Sequence, residues 1–223
     1  MKRCVIFDLD GTLADTSGDL LAAANAAFTL LGLDTSLDPS NADHRATALR
    51  GGRAMLRAGL ARVGVEDEGL VDAGYQPLLD AYGADIATHT HFYPGALDAV
   101  RRLRARGDAV GICTNKPEGL ARQLLDSLGA TDLFDALLGA DTLPVRKPDP
   151  EHLLETIRRA GGDAGRAVLI GDTETDRKAA AAAQVPCVLV TFAPAGQSVA
   201  DLAPEALLYH FDHLEAVVDP LLG

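Results

Sequence analysis

The chain has 223 residues, enough for one large domain or for a catalytic domain carrying a smaller one. With 48% hydrophobic residues it can bury a sizeable core, which excludes wholesale disorder. A formal net charge of −12 argues against a nucleic-acid binder, because phosphate backbones need a basic face, and reads instead as a solvated surface.

The first ten residues, MKRCVIFDLD, hold two basic side chains, but their apolar run meets Asp8 at once. A secretory leader needs an apolar region of about 7–15 residues and a bilayer span needs about 20, so the expectation is a cytoplasmic protein with no membrane partner. Cys4, Cys113 and Cys187 are far apart and each sits in an apolar run, as expected of buried free thiols.

In chain order, Arg3–Phe7 (RCVIF) is a short β-branched and aromatic run and reads as a buried strand. Residues 16–89 then break the pattern. They hold no convincing strand but show helical periodicity at Ser17–Leu31, Gly52–Val63 and Glu68–Ile86, as in a small inserted helical domain. HTHFYPG (89–95) brings the chain back, with Pro94 and Gly95 at the start of a helix. Beyond it, strand candidates Ala109–Cys113, Ala136–Gly139, Ala167–Ile170 and Cys187–Val190 alternate with helices at Ala96–Arg106, Glu118–Leu128, Glu151–Ala160 and Glu174–Ala183. Near-continuous apolar strands separated by helices predict a parallel sheet covered on both faces, a doubly wound α/β core spanning residues 1–15 and 90–223.

Ligands of open parallel sheets bind at the carboxyl ends of the strands, and polar residues gather at those ends here. The first strand runs into Asp8-Leu9-Asp10-Gly11-Thr12, the second into Thr114-Asn115-Lys116, and the Ala167–Ile170 strand into Gly171-Asp172-Thr173-Glu174-Thr175-Asp176; Lys147 precedes Pro148 before another helix. Clustered carboxylates repel and raise one another's pKa unless a cation intervenes, and an oxygen-rich set without Cys or His favours Mg²⁺ over Zn²⁺. Asp8 and Asp10, two apart at a strand end, face one side and can divide the work of nucleophile and acid–base group. Thr114, Asn115 and Lys147 supply hydrogen-bond donors and positive charge for phosphate oxygens.

The four motifs, Asp8-Leu9-Asp10-Gly11-Thr12, Thr114-Asn115, Lys147-Pro148-Asp149-Pro150 and Gly171 to Asp176, resemble those of the haloacid dehalogenase superfamily across essentially the whole chain. The resemblance implies that Asp8 attacks phosphorus and that Asp10 protonates the leaving group and then activates water. It implies Mg²⁺ on the Asp8 and Asp172 carboxylates and the Asp10 carbonyl, with Asp176 behind the metal or Lys147. It implies phosphate held by Thr114, the Asn115 backbone and Lys147. It also implies that residues 16–89 form a helical cap, in which Arg50 and Arg53 of Leu49-Arg50-Gly51-Gly52-Arg53 are candidates for a substrate carboxylate or second anion.

The pattern is most similar to the phosphoglycolate phosphatase branch, so the expected partner is a small phosphorylated metabolite and the expected assembly a monomer or homodimer. Asp10 argues against haloacid dehalogenation, and a cap region without lysine argues against phosphonate hydrolysis through an imine. A sugar phosphomutase, a pyrophosphatase or nucleotidase, and a non-catalytic phosphate-ligand-binding regulatory protein stay open as alternatives. His44, His89 and His91 read as structural or solvated, and Phe28, Tyr75 and Tyr82 as packing residues of the helical region.

Overall fold

The computed structural model describes residues 2–194 and 196–223; Met1 and Ala195, both within the expected core, lie outside the described residues. The elements begin with β1 (Lys2–Phe7), β2 (Ala14–Asp15), α1 (Ser17–Leu30), α2 (Ala42–Ala48), α3 (Gly52–Arg62) and α4 (Glu68–Ala84). They continue with β3 (His91–Phe92), α5 (Ala96–Ala105), β4 (Ala109–Cys113), α6 (Glu118–Ser127), β5 (Ala136–Leu138) and α7 (Pro150–Arg159). The chain closes with β6 (Gly162–Gly171), α8 (Glu174–Ala183), β7 (Cys187–Val190), β8 (Ala206–Leu208) and α9 (Leu214–Leu222). It divides into two compact units, residues up to Ala14 with Phe92–Gly223, and Asp15–His91.

In the first unit six parallel strands lie in the order β5-β4-β1-β6-β7-β8. β1 is central because Val5, Ile6 and Phe7 are fully buried, and only an inner strand removes both faces of such a run from water. Alternation along the strands builds two cores. Cys4, Ile6, Cys113 and Leu169 pack with Leu153 and Ile157 of α7 and Ala180 of α8. Residues of the opposite alternation meet α5 and α9, which also pack on each other.

Within the six-stranded sheet, two elements exceed the sequence reading. β6 begins at Gly162, five residues before Ala167, because bare Gly162 pairs with Lys2 where a Cβ would lie 2.4 Å from Cys4 Cβ. β8 adds a sixth strand through Ala206↔Val188 pairing. All three cysteines are buried and free, and burial pushes the Cys4 and Cys113 thiols up to about 12, leaving them inert.

The second unit is helical, with α1 packed on α2, α3 and α4 around buried Phe28, Met55, Leu56, Leu60, Val71, Leu78 and Tyr82. Gly59 lets α3 close on α1, since a Cβ there would lie 2.0 Å from Phe28 Cζ. The buried Asp19 carboxylate accepts from His89 N at 2.9 Å, Thr90 N at 2.8 Å and Thr90 Oγ1 at 2.7 Å, tying the returning chain to the first turn of α1. Among the described residues, no helix is long and apolar enough to cross a membrane.

Candidate active site

The sheet register sets the site. Phe7 of β1 lies beside Ile112 of β4 and Ile170 of β6, so the residues that follow on all three strands emerge side by side at the carboxyl edge. Asp8 N still donates to Ile170 O at 2.8 Å, and Thr114 N to Leu138 O at 3.0 Å, so the ladders hold these residues in strand geometry. Gly11 takes a positive φ of 82° and donates to Ala14 O at 2.8 Å, turning the chain sharply off the edge.

Asp8 is buried, with Leu9 N donating to its Oδ1 at 2.7 Å and Lys147 Nζ 3.1 Å from its Oδ2. Desolvation is the largest influence on this carboxyl and raises it to about 6 against the opposing pull of Lys147; Asp176 and Asp10 add to the rise. Asp172, hydrogen-bonded from Thr12 Oγ1 at 3.0 Å, is pushed well above the usual carboxylate range by burial, then by Asp176 and Asp8. Burial opposes the charge on Lys147, but Asp176 at 2.6 Å and Asp8 more than offset it and hold the ammonium protonated.

Asp176 is saturated. Its Oδ1 accepts from Lys147, and its Oδ2 accepts from Asp172 N at 3.3 Å, Thr173 N at 3.1 Å and Thr173 Oγ1 at 2.6 Å. This is the capping box of α8, closed by the Thr173 hydroxyl on Asp176 N. Gly171 makes it sterically possible, since a Cβ there would lie 2.4 Å from Asp176 Cγ.

Oxygens of Asp8, Asp172 and Asp176 lie within 4.8 Å of one another, the one group of metal-capable side chains among the described residues. The donor set fits a hard cation: it is all oxygen, buried and short of positive charge, with two ammonium groups (Lys116 and Lys147) facing the four carboxylates of Asp8, Asp10, Asp172 and Asp176. With Asp176 committed to its own donors, the carboxylates left for a cation are Asp8 and Asp172.

Asp10 does not join that group. Its carboxylate Oδ1 lies 2.7 Å from Lys116 Nζ, a lysine whose side chain is 3% exposed against 17% for Asp10. Lys116 is the site residue that sequence reasoning misses, because a lysine three positions past a strand looks like any loop lysine until its partner beyond another strand is located. Thr114 is buried and its Oγ1 accepts from Lys116 N at 3.2 Å, while Asn115 Nδ2 donates to Lys147 O at 2.9 Å, joining two of the motif loops. His152, fully buried, hydrogen-bonds Gly139 O at 3.0 Å through Nε2 and meets Cys113 Sγ at 3.5 Å through Nδ1; burial lowers its pKa.

In the helical unit, Arg53 is occupied. Its guanidinium pairs with Asp72 at 2.5 Å and stacks 4.7 Å from the Tyr75 ring centroid. Arg50 is exposed, on the turn between α2 and α3. His44 Nδ1 accepts from Asp38 N, and the His89 backbone serves the Asp19 tie.

The family model for haloacid dehalogenase-like hydrolases matches residues 2–184. The chain belongs to that family. This haloacid dehalogenase-like hydrolase is 42% identical over 214 residues to the phosphoglycolate phosphatase of Mesorhizobium japonicum, covering 96% of this chain and 93% of the relative. It is 37% identical over 209 residues to that of Caulobacter vibrioides, covering 93% of this chain and 86% of the relative. CbbY from Rhodobacter sphaeroides, solved in complex with xylulose-(1,5)bisphosphate, shares the fold with a TM-score of 0.78 at 22% identity, over 98% of this chain and 99% of that one. Within its family the chain is a phosphatase.

Proposed function

We propose that this phosphatase hydrolyses small phosphomonoesters, with 2-phosphoglycolate as the leading substrate, through phosphorylation of Asp8 in a Mg²⁺-dependent reaction. The observation that carries the reading is the Asp8 carboxylate itself. It is buried at the carboxyl edge of the central strand, 3.1 Å from Lys147 and within 4.8 Å of Asp172. The relatives named phosphoglycolate phosphatase support the substrate, and the two unbalanced negative charges of the cluster support a divalent cation.

Asp8 and Asp172 would hold the cation, with the Asp10 carbonyl completing the protein ligands. When bound, Mg²⁺ supplies neutralising charge for the nucleophile and for phosphate oxygens. The residues perform the rest. An Asp8 oxygen attacks phosphorus, the bond from phosphorus to the ester oxygen breaks, and Asp10 gives that oxygen a proton. Water then attacks phosphorus and loses its proton to Asp10, and the bond from phosphorus to Asp8 breaks to release phosphate. Lys147 offsets charge on Asp8 and phosphate throughout, while Thr114 and the Asn115 backbone orient phosphate oxygens.

Asp15–His91 would serve as the cap. With Arg53 engaged by Asp72 and Tyr75, Arg50 is the better candidate for a substrate carboxylate. The test is phosphate release with Mg²⁺ from phosphoglycolate, hexose and pentose phosphates, nucleotides and pyrophosphate, beside Asp8→Asn. The expected result is fastest release from phosphoglycolate and none from the variant. Equal activity in the variant overturns the nucleophile; a faster second ester overturns the substrate.

A further inference from the structure

We propose that Lys116 is a positioning residue: by donating to Asp10 Oδ1 it holds the Asp10 carboxyl group in place and leaves Oδ2 to carry the proton given to the leaving oxygen and later taken from water. This rests on the acid–base reading of Asp10 above. Each working carboxylate that follows β1 faces a lysine: Lys147, shared with Asp176, lies 3.1 Å from Asp8, and Lys116 lies 2.7 Å from Asp10.

The geometry is asymmetric. The Lys116 side chain is 3% exposed, whereas Asp10 is 17% exposed, so the ammonium sits on the buried side of the pair and the carboxylate on the open side. A solvated ion pair at a rim exerts little hold on its partners, but a desolvated ammonium has strong reason to keep its carboxylate.

Both ends of the tether are rigid. Lys116 N donates to Thr114 Oγ1 at 3.2 Å, and Lys116 O accepts from Ala140 N at 2.9 Å, which fastens the end of β4 to the loop leaving β5. Gly139 permits that contact, since a Cβ there would lie 2.7 Å from Lys116 O and 2.3 Å from Glu118 N. The loop carrying Asp10 is tied as firmly, with Leu9 O accepting from Leu13 N at 3.0 Å and Ala14 N at 3.1 Å. A bridge between two fixed backbones leaves the Asp10 carboxylate little room to swing.

The experiment compares kcat/KM of the full chain with Mg²⁺ over an ester series, from 4-nitrophenyl phosphate, whose leaving group needs no proton, to alkyl phosphates, which do. Wild type, Lys116→Met, Lys116→Arg and Asp10→Asn are run together. Lys116→Gln runs alongside them, so that the slope is readable if the Met variant does not fold. Lys116→Met is expected to lose about 10- to 100-fold toward alkyl esters and less than about threefold toward 4-nitrophenyl phosphate, in the same sense as Asp10→Asn, with partial recovery in Lys116→Arg. A uniform loss across the series overturns the proposal, as does a loss confined to esters carrying a carboxylate. If Asp10→Asn steepens the series and neither Lys116→Met nor Lys116→Gln does, positioning alone fails; if Asp10→Asn leaves the slope unchanged, the acid–base reading fails with it.

Discussion

Replacing Asp8 with asparagine should make the metal-free protein more stable. Asp8 has its carboxyl raised from 3.8 to about 6 by burial, against the pull of Lys147. At about 1.4 kcal/mol per pH unit, that displacement costs the metal-free fold about 3 kcal/mol once both folded and unfolded states are ionised. Asp8→Asn removes this cost and keeps an oxygen for Leu9 N; the attraction of Lys147 at 3.1 Å is already counted in the net rise. The net gain near pH 7.5 is expected at about 1–3 kcal/mol, or about 3–9 °C in Tm for a chain of this size. Below pH 3.8 the carboxyl is protonated in both states and the difference vanishes. As pH rises through about 6, the wild type must ionise a group the unfolded chain ionised earlier, so it loses stability relative to the variant. Thermal melts of both proteins in chelator near pH 3.5, 5 and 7.5 measure this, and millimolar Mg²⁺ should shrink the gap. A variant less stable near pH 7.5, or a gap that does not change with pH, refutes the electrostatic account.

Lys147→Met leaves Asp8 and Asp176 without their shared cation and is expected to destabilise by about 3–5 kcal/mol in urea unfolding while abolishing turnover. Gly171→Ala drives a methyl to within 2.4 Å of Asp176 Cγ and should cost about 1–3 kcal/mol, with kcat falling further than Tm alone explains. Arg53→Ala, losing an exposed pair with Asp72, should change unfolding free energy by less than about 1 kcal/mol and leave KM for phosphoglycolate nearly unchanged. Chelator should abolish phosphate release, and Mg²⁺ should restore it where Zn²⁺ does not, as measured by add-back titration.

The core architecture was legible because apolar runs as dense as CVIF, AVGIC and CVLV have few other ways to leave water. α2 was not, since ADHRATA has no apolar stripe; its one signal is Asn41, whose side chain accepts from Asp43 N and His44 N as an N-cap. β8 is only Ala206-Leu207-Leu208, held by pairing with β7, which no local pattern announces. At the site, the motifs named which residues gather but not how they pair. Asp8-x-Asp10 suggests two carboxylates in one place, yet one turns to Lys147 and the other to Lys116, a division set by strands distant in sequence. The saturation of Asp176 was partly readable, because Thr173-x-x-Asp176 is a capping signature, whereas its hold on Lys147 is visible only in three dimensions.

Asp176 ends one story and begins another. The same carboxylate that starts α8 also fixes the lysine beside Asp8, so the helix cannot fray at its first turn without releasing Lys147. Enzymatic turnover is therefore a gauge of how completely this part of the chain has folded. Refolding followed by activity should lag behind refolding followed by helical signal until the first turn of α8 locks, and a drug or mutation that loosens that turn would silence the enzyme without touching Asp8.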